Sequence, residues 1–215
     1  MNRSEIIEKV IENKVIVIVR GVNDEDLIPL TQALYDGGIR LMEITYSANG
    51  NPTDEQVANN IKRLVDNFGD KMLFGAGTVL TKKQVRLTKK AGGKSIISPN
   101  VDKDVIKETV KNSLISMPGA LTPSEAATAV KFGADFVKVF PVNAFGPDYI
   151  KAIKAPLSNI RFLAVGGVSP ENMEIYKNAG ACGYGIGSTI IDKQLIKNAD
   201  WAGITELAKK YTCQI

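Results

Sequence analysis

The sequence predicts a (β/α)8 TIM barrel with an extra N-terminal helix, and three observations predict it. Eight short apolar runs alternate with helical patterns along the 215 residues. Glycines recur where one helix gives way to the next strand, and unusual chemistry gathers at one end of the strands only. With 44% hydrophobic and 23% charged residues, the composition is ordinary for a soluble globular protein with a sizeable core. No linker-like stretch breaks the alternation, so residues 1–215 read as one barrel domain.

An amphipathic helix at 4–13 comes first. Strands are expected at 15–20, 40–45, 72–77, 94–98, 114–117, 136–140, 161–165 and 181–186. They are mostly Val, Ile, Leu and Phe, as strands buried on both faces require. Helices are expected at 24–35, 53–68, 81–90, 103–112, 123–132, 147–154 and 170–178, with a tail helix at 201–211. Thr122-Pro123 and Ser169-Pro170-Glu171 are helix-start signals. Gly37-Gly38, Gly69, Gly92-Gly93, Gly133 and Gly180 sit where a left-handed residue would stop each helix. The mean repeat of about 24 residues fits a strand, a helix and two short loops. An open doubly wound sheet rarely needs eight even units, and no G-x-G-x-x-G follows the first strand.

Composition also excludes. There is no histidine, which removes Ser-His-Asp and Cys-His nucleophiles, His-ligated zinc and imidazole bases. The two cysteines, Cys182 and Cys213, make neither a metal site nor a disulfide framework, and read as reduced thiols of a cytoplasmic protein. The N-terminus lacks a signal-peptide pattern, and no apolar run approaches the ~18 residues of a membrane span. The net charge of +4 is spread along the chain, giving no nucleic-acid footprint.

The strand ends carry the chemistry. Strands begin with ordinary solvated residues such as Lys14, Arg40, Lys71 and Lys94, whereas their carboxyl ends hold Arg20-Gly21, Glu43 with Thr45, Gly75-Ala76-Gly77-Thr78 and Ser98-Pro99-Asn100. Further on come Lys138 to Pro141, Gly166-Gly167 and Gly187-Ser188. Barrel enzymes place their sites at those ends. At period two, Phe136, Lys138 and Phe140 share one face while Val137 and Val139 take the other, so Lys138 points into the barrel between two phenylalanines. Desolvation there disfavours the ammonium and yields an amine able to attack carbonyls. Glu43, inward with Leu41 and Thr45, is either its ion-pair partner or an acid/base beside it. The glycines at the ends of the seventh and eighth strands suit an anion held on backbone N–H groups, together with a short helix N-terminus. Gly75 to Thr78 suits a small oxyanion, and Arg20 either binds a carboxylate or phosphate or is a solvated strand-end residue.

On these residues the sequence resembles the 2-keto-3-deoxy-6-phosphogluconate/4-hydroxy-2-oxoglutarate aldolase family. The motifs are M-E-I-T around Glu43, G-A-G-T-V-L from Gly75, S-P-N from Ser98, K-V-F-P at Lys138, V-G-G-V-S-P-E-N from Val165, and G-I-G-S ending at Ser188. The resemblance implies a class I aldolase, without cofactor or metal, that forms homotrimers. It would cleave a 2-keto-3-deoxy-6-phospho acid to pyruvate and glyceraldehyde 3-phosphate, or 4-hydroxy-2-oxoglutarate to pyruvate and glyoxylate. By the same resemblance Lys138 would be the Schiff-base lysine and Glu43 the acid/base. Arg20, Thr78, Pro99, Phe140 and Val165 would contact substrate, and Gly166, Gly167, Gly187 and Ser188 would hold its phosphate. Two departures bear on the sugar: gluconate-type members have arginine where this chain has Ser47, and commonly threonine where it has Val165. Arg20-Gly21, Val165 and A-F-G-P-D-Y-I-K from Ala144 look more like the 6-phosphogalactonate branch, while the insertion at 47–52 matches neither pattern. The rival readings are a phosphate-binding isomerase or decarboxylase without a covalent intermediate, and a non-catalytic sugar-phosphate sensor.

Overall fold

The computed structural model describes residues 1–215. Eight parallel strands form a closed barrel in chain order: β1 (Val15–Val19), β2 (Leu41–Thr45), β3 (Leu73–Gly77), β4 (Ser95–Ser98), β5 (Ile115–Ala120), β6 (Val137–Val139), β7 (Phe162–Val165) and β8 (Ala181–Ile186). The ring is sealed by β8 pairing with β1, Tyr184 opposite Val15 and Ile186 opposite Val17. Around it lie α2 (Leu27–Asp36), α3 (Asp54–Phe68), α4 (Lys82–Lys90), α5 (Lys103–Lys111), α6 (Pro123–Phe132), α7 (Pro147–Lys154), α8 (Met173–Asn178) and α10 (Trp201–Thr212). A short α9 (Lys193–Lys197) precedes the last of these, and α1 (Arg3–Asn13) comes before the first strand. No helix is long and apolar enough to cross a membrane.

Side-chain alternation divides the core in two. Val15, Val17 and Val19, with Met42, Ile44, Phe74, Val137 and Val139, face outward into a layer of 49 buried residues shared with the helices. The inward set, including Ile16, Leu41, Ile97, Met117, Phe136 and Leu163, forms a separate cluster of 10 inside the barrel. Helices α3, α4 and α6 each start at the carboxyl end of a strand with a capping box, Thr53–Gln56, Thr81–Gln84 and Thr122–Glu125. These boxes satisfy N–H groups that have no intrahelical acceptor and fix where each loop ends. At the seam of the helix ring, the Thr205 hydroxyl donates to the Ala33 carbonyl (3.0 Å) and Thr212 to that of Gly37 (2.8 Å). A methyl at Gly37 would lie 2.4 Å from Ala208 Cβ, so glycine lets α10 close against α2.

Several expected boundaries are corrected. The first strand stops at Val19, leaving Arg20 just beyond it, and the fifth runs on to Ala120 through Pro118. The expected helix at 170–178 begins only at Met173, because Asn172 Oδ1 accepts the Ser169 N–H and holds the Ser-Pro-Glu segment in a turn. Helix α9 was not anticipated. Gly38, Gly92, Gly133 and Gly180 take positive φ as expected, but Gly69 does not, at φ −66°. There glycine answers to space, since a Cβ would sit 2.5 Å from the Val65 carbonyl oxygen.

Candidate active site

Lys138 and Glu43 reach the barrel interior from strands on opposite sides of the ring and line one small cavity with Ile16, Ile18, Ile97, Leu163, Val165 and Gly185. They are 2% (Glu43) and 9% (Lys138) exposed. They do not form an ion pair: no Lys138 nitrogen lies within 4.0 Å of a carboxylate oxygen. Every wholly buried side-chain nitrogen and oxygen has a hydrogen-bond partner. The heads of Glu43 and Lys138, which have none within the protein, therefore stay open to the cavity between them. The neutralised-pair reading of Glu43 is thereby set aside.

Burial dominates the titration of both groups. It pushes the Glu43 carboxyl up to about 7, with the charges of Lys138 and Arg20 acting against it more weakly. It pushes the Lys138 amine down from its usual range, opposed by Glu43 and aided by Arg20. Desolvation thus moves an acid and an amine toward neutrality from opposite sides, and it leaves the Glu43 carboxyl able to change protonation state near pH 7. The Phe140 ring, 41% exposed, lies over Lys138 with its centroid 4.6 Å from Nζ, and Phe136 is buried on the other side of the lysine along the inward face.

Gly77 makes room for the carboxylate. A Cβ there would meet Glu43 Oε1 at 2.2 Å and Thr45 Cγ2 at 3.0 Å. Sequence reasoning took the small residues of Gly75 to Thr78 as space for a ligand; Gly77 is space for Glu43. Gly77→Ala is expected to displace the buried carboxylate, lowering kcat by about 100-fold. It should also cost about 1–3 kcal/mol, read from steady-state kinetics and urea unfolding.

At the mouth, the Arg20 guanidinium is exposed but fixed, donating to Thr78 Oγ1 at 2.8 Å. Thr78 holds φ +54°, which turns its hydroxyl toward Arg20 at the end of β3. The two border a cavity of about 390 Å³ with Thr45, Ser47, Asn49 and Asn60, so the unmatched insertion at 47–52 forms a wall of the mouth. Pro99 is exposed at the end of β4. Its carbonyl oxygen would be 2.5 Å from a Cβ at Gly119, the residue registered against Lys138.

Gly166 and Gly167 follow β7 with φ +103° and +71°, and Gly187 and Ser188 follow β8 beside them. The N–H groups of these four residues have no acceptor within the protein, leaving an adjacent set of donors at the ends of neighbouring strands. Asn143, not singled out from the sequence, packs against both glycines: a Cβ on Gly167 would meet Asn143 Cβ at 2.7 Å. Its only sequence signal is its position shortly after the Lys138 strand. The expected helix N-terminus is not free. Asp192 caps α9, accepting the N–H groups of Gln194 and Leu195, and Gly187 closes a turn by accepting from Ile190 and Ile191.

A dry amine and a dry carboxylate facing one space at the closed centre of a barrel suit carbon–carbon bond chemistry at a carbonyl, and similarity to known proteins agrees: the protein is a lyase of the aldolase type. The chain belongs to the KDPG and KHG aldolase family, whose model matches residues 6–207. A relative from Escherichia coli (strain K12), 2-dehydro-3-deoxy-6-phosphogalactonate aldolase, is 42% identical over 176 residues, 81% of this chain and 83% of its own. The 2-dehydro-3-deoxy-phosphogluconate aldolase of Haemophilus influenzae is 31% identical, with 96% and 94% covered. Among solved structures, a native KDPGal structure superposes with TM-score 0.83 at 37% identity, covering 93% of each chain. A KDPG aldolase from Legionella pneumophila, with pyruvate captured at low pH as a covalent carbinolamine intermediate, gives TM-score 0.84 at 29% identity over 97% of each chain.

Proposed function

We propose that the protein is a class I aldolase that cleaves a 2-keto-3-deoxy-6-phospho sugar acid through an imine on Lys138, with the galactonate epimer preferred. The observation that carries this is the unpaired burial of Lys138 and Glu43 around one cavity. The neutral Lys138 amine adds to the C2 ketone, and loss of water from the carbinolamine gives a protonated imine, with Phe140 over the new cation. Glu43, through a water, takes the C4 hydroxyl proton. The C3–C4 bond then breaks, its electron pair moves into the imine, and glyceraldehyde 3-phosphate leaves. Protonation of the enamine at C3 and hydrolysis of the imine release pyruvate and restore the amine. A carboxyl near 7 suits both halves of this cycle, accepting a proton and later returning one.

Arg20 and Thr78 hold the substrate carboxylate as a charge-assisted pair, with Pro99 at the pyruvate end. The free N–H groups of Gly166, Gly167, Gly187 and Ser188 hold the phosphate. The galactonate preference is supported by Val165, an apolar wall of the shared cavity where gluconate-type members commonly place a hydroxyl, and by the 42% identity to the galactonate enzyme. Homotrimer assembly, and weaker cleavage of 4-hydroxy-2-oxoglutarate, belong to the same proposal. The test compares cleavage of both phosphorylated epimers and 4-hydroxy-2-oxoglutarate, with borohydride added to enzyme and pyruvate. The expected result is fastest cleavage of the galactonate epimer and a reduced pyruvyl adduct on Lys138. Turnover without an adduct would favour the non-covalent isomerase or decarboxylase chemistry, and binding with neither would favour a sensor.

A further inference from the structure

The barrel has a floor as well as a mouth. Helix α1 lies across the amino end of the strands and sends Ile6 and Val10, each 3% exposed, into the interior cluster with Leu41, Met117 and Phe136. Ile16 links the levels: it lines the pocket that Ile6 and Val10 close, and also the cavity that Glu43 and Lys138 share. A polar clamp holds the helix down. The Arg3 guanidinium donates to both carboxylate oxygens of Asp135, at 2.6 and 2.8 Å, and to the Leu114 carbonyl. Asp135 also accepts the Ser116 N–H at 2.8 Å. Asp135 stands at the foot of the strand that carries Lys138, three residues on.

We propose that α1, clamped by Arg3 to Asp135, is the water-excluding floor of the active barrel, and that Arg3 and Ile6 are positioning residues that keep Lys138 a reactive amine. This rests on the reading of Lys138 as the imine-forming residue. The charged groups facing Lys138 are Glu43 from β2 and Arg20 just beyond β1, and neither touches α1; Lys94 is the only charged group lining the lower pocket. What α1 controls is therefore water. Burial is the largest influence on Glu43 and Lys138 alike, and it acts on them in opposite senses. Admitting water through the floor lets the amine regain its proton and the carboxyl lose its own, so their titrations move apart. A change of nearby charge behaves differently, because losing a cation raises both together. Opposite displacement is thus the mark of water.

The test measures the pH dependence of borohydride trapping with pyruvate, and of cleavage, for Ile6→Ser and Arg3→Gln. Trapping reports the amine, and the acid limb of kcat at saturating substrate, where the imine has already formed, reports Glu43. In Ile6→Ser the amine midpoint is expected to rise by about one pH unit, so trapping at neutral pH falls about ten-fold and recovers at higher pH. The acid limb should move the other way. Leu30→Ala, in the outer layer, should lower Tm and move neither limb. Where Ile6→Ser does not fold, Ile6→Ala and Arg3→Gln decide. Floor variants whose limbs stay at the wild-type positions, or an Ile6 variant whose limbs move in the same direction, would overturn the proposal. Wild-type enzyme that traps no pyruvate on Lys138 places the failure earlier, in the assignment of the nucleophile, and takes this inference with it.

Discussion

Lys138→Met is expected to lower kcat/KM on the phosphorylated substrate on the order of 10⁴-fold or more and to abolish borohydride trapping of pyruvate. Methionine keeps the length and apolar stem of lysine but cannot bond to a ketone, so the electron sink for C3–C4 cleavage is gone. The barrel should remain intact. An amine that pays a desolvation penalty and has no ion-pair partner adds little to stability, and an apolar replacement is expected to leave Tm at or above wild type. Glu43 would also lose its nearest cation, so its carboxyl should rise beyond about 7. A folded variant that cleaves within ten-fold of wild type would remove Lys138 from the mechanism.

Glu43→Gln separates the two halves of the reaction. Glutamine fits the space beside Gly77 but accepts no proton, so cleavage should fall by about 10²–10⁴-fold. The lysine is still present, so enzyme incubated with pyruvate and borohydride should reach the wild-type extent of labelling. Without the Glu43 charge the Lys138 amine titrates lower still. The variant should also lack the acid limb near pH 7 that wild type shows. Stability carries an independent sign. Because folding raises the Glu43 pKa from 4.5 to about 7, its favourable contribution is complete below 4.5 and fades as pH climbs through 7. Above pH 7 the variant should therefore gain on wild type by up to about 3 kcal/mol, read from urea unfolding across pH. Loss of labelling together with loss of cleavage would show that Glu43 acts in imine formation itself.

The legibility of the sequence varied with the range of the interactions. Eight apolar runs and period-two alternation located all eight strands, and that alternation alone aimed Lys138 and Glu43 inward, because a strand's two faces are a local property. The placement of Gly166 and Gly167 just past the seventh strand was equally local, whereas their positive φ was not anticipated. Contacts between distant segments were not readable in this way. Gly77 against Glu43, Asn143 against Gly167, and Arg3 against Asp135 join residues 34, 24 and 132 positions apart, and each has an unremarkable neighbourhood in sequence. The helix expected after Ser169-Pro170 was misplaced for a similar reason: the start signal is present, but the Asn172 amide oxygen captures the Ser169 N–H first.

The seams of the ring bear on how the chain is made. Both the strand closure, β8 on β1, and the helix closure, α10 on α2, join the first 40 residues to those beyond 180; the Thr205 and Thr212 hydroxyl bonds span 172 and 175 positions. During synthesis β1 must therefore wait with an unsatisfied backbone edge until nearly the whole polypeptide exists. That edge invites pairing with a second nascent chain. Maturation is thus concentrated at the end of translation, where a stalled or shortened product would be most prone to aggregate.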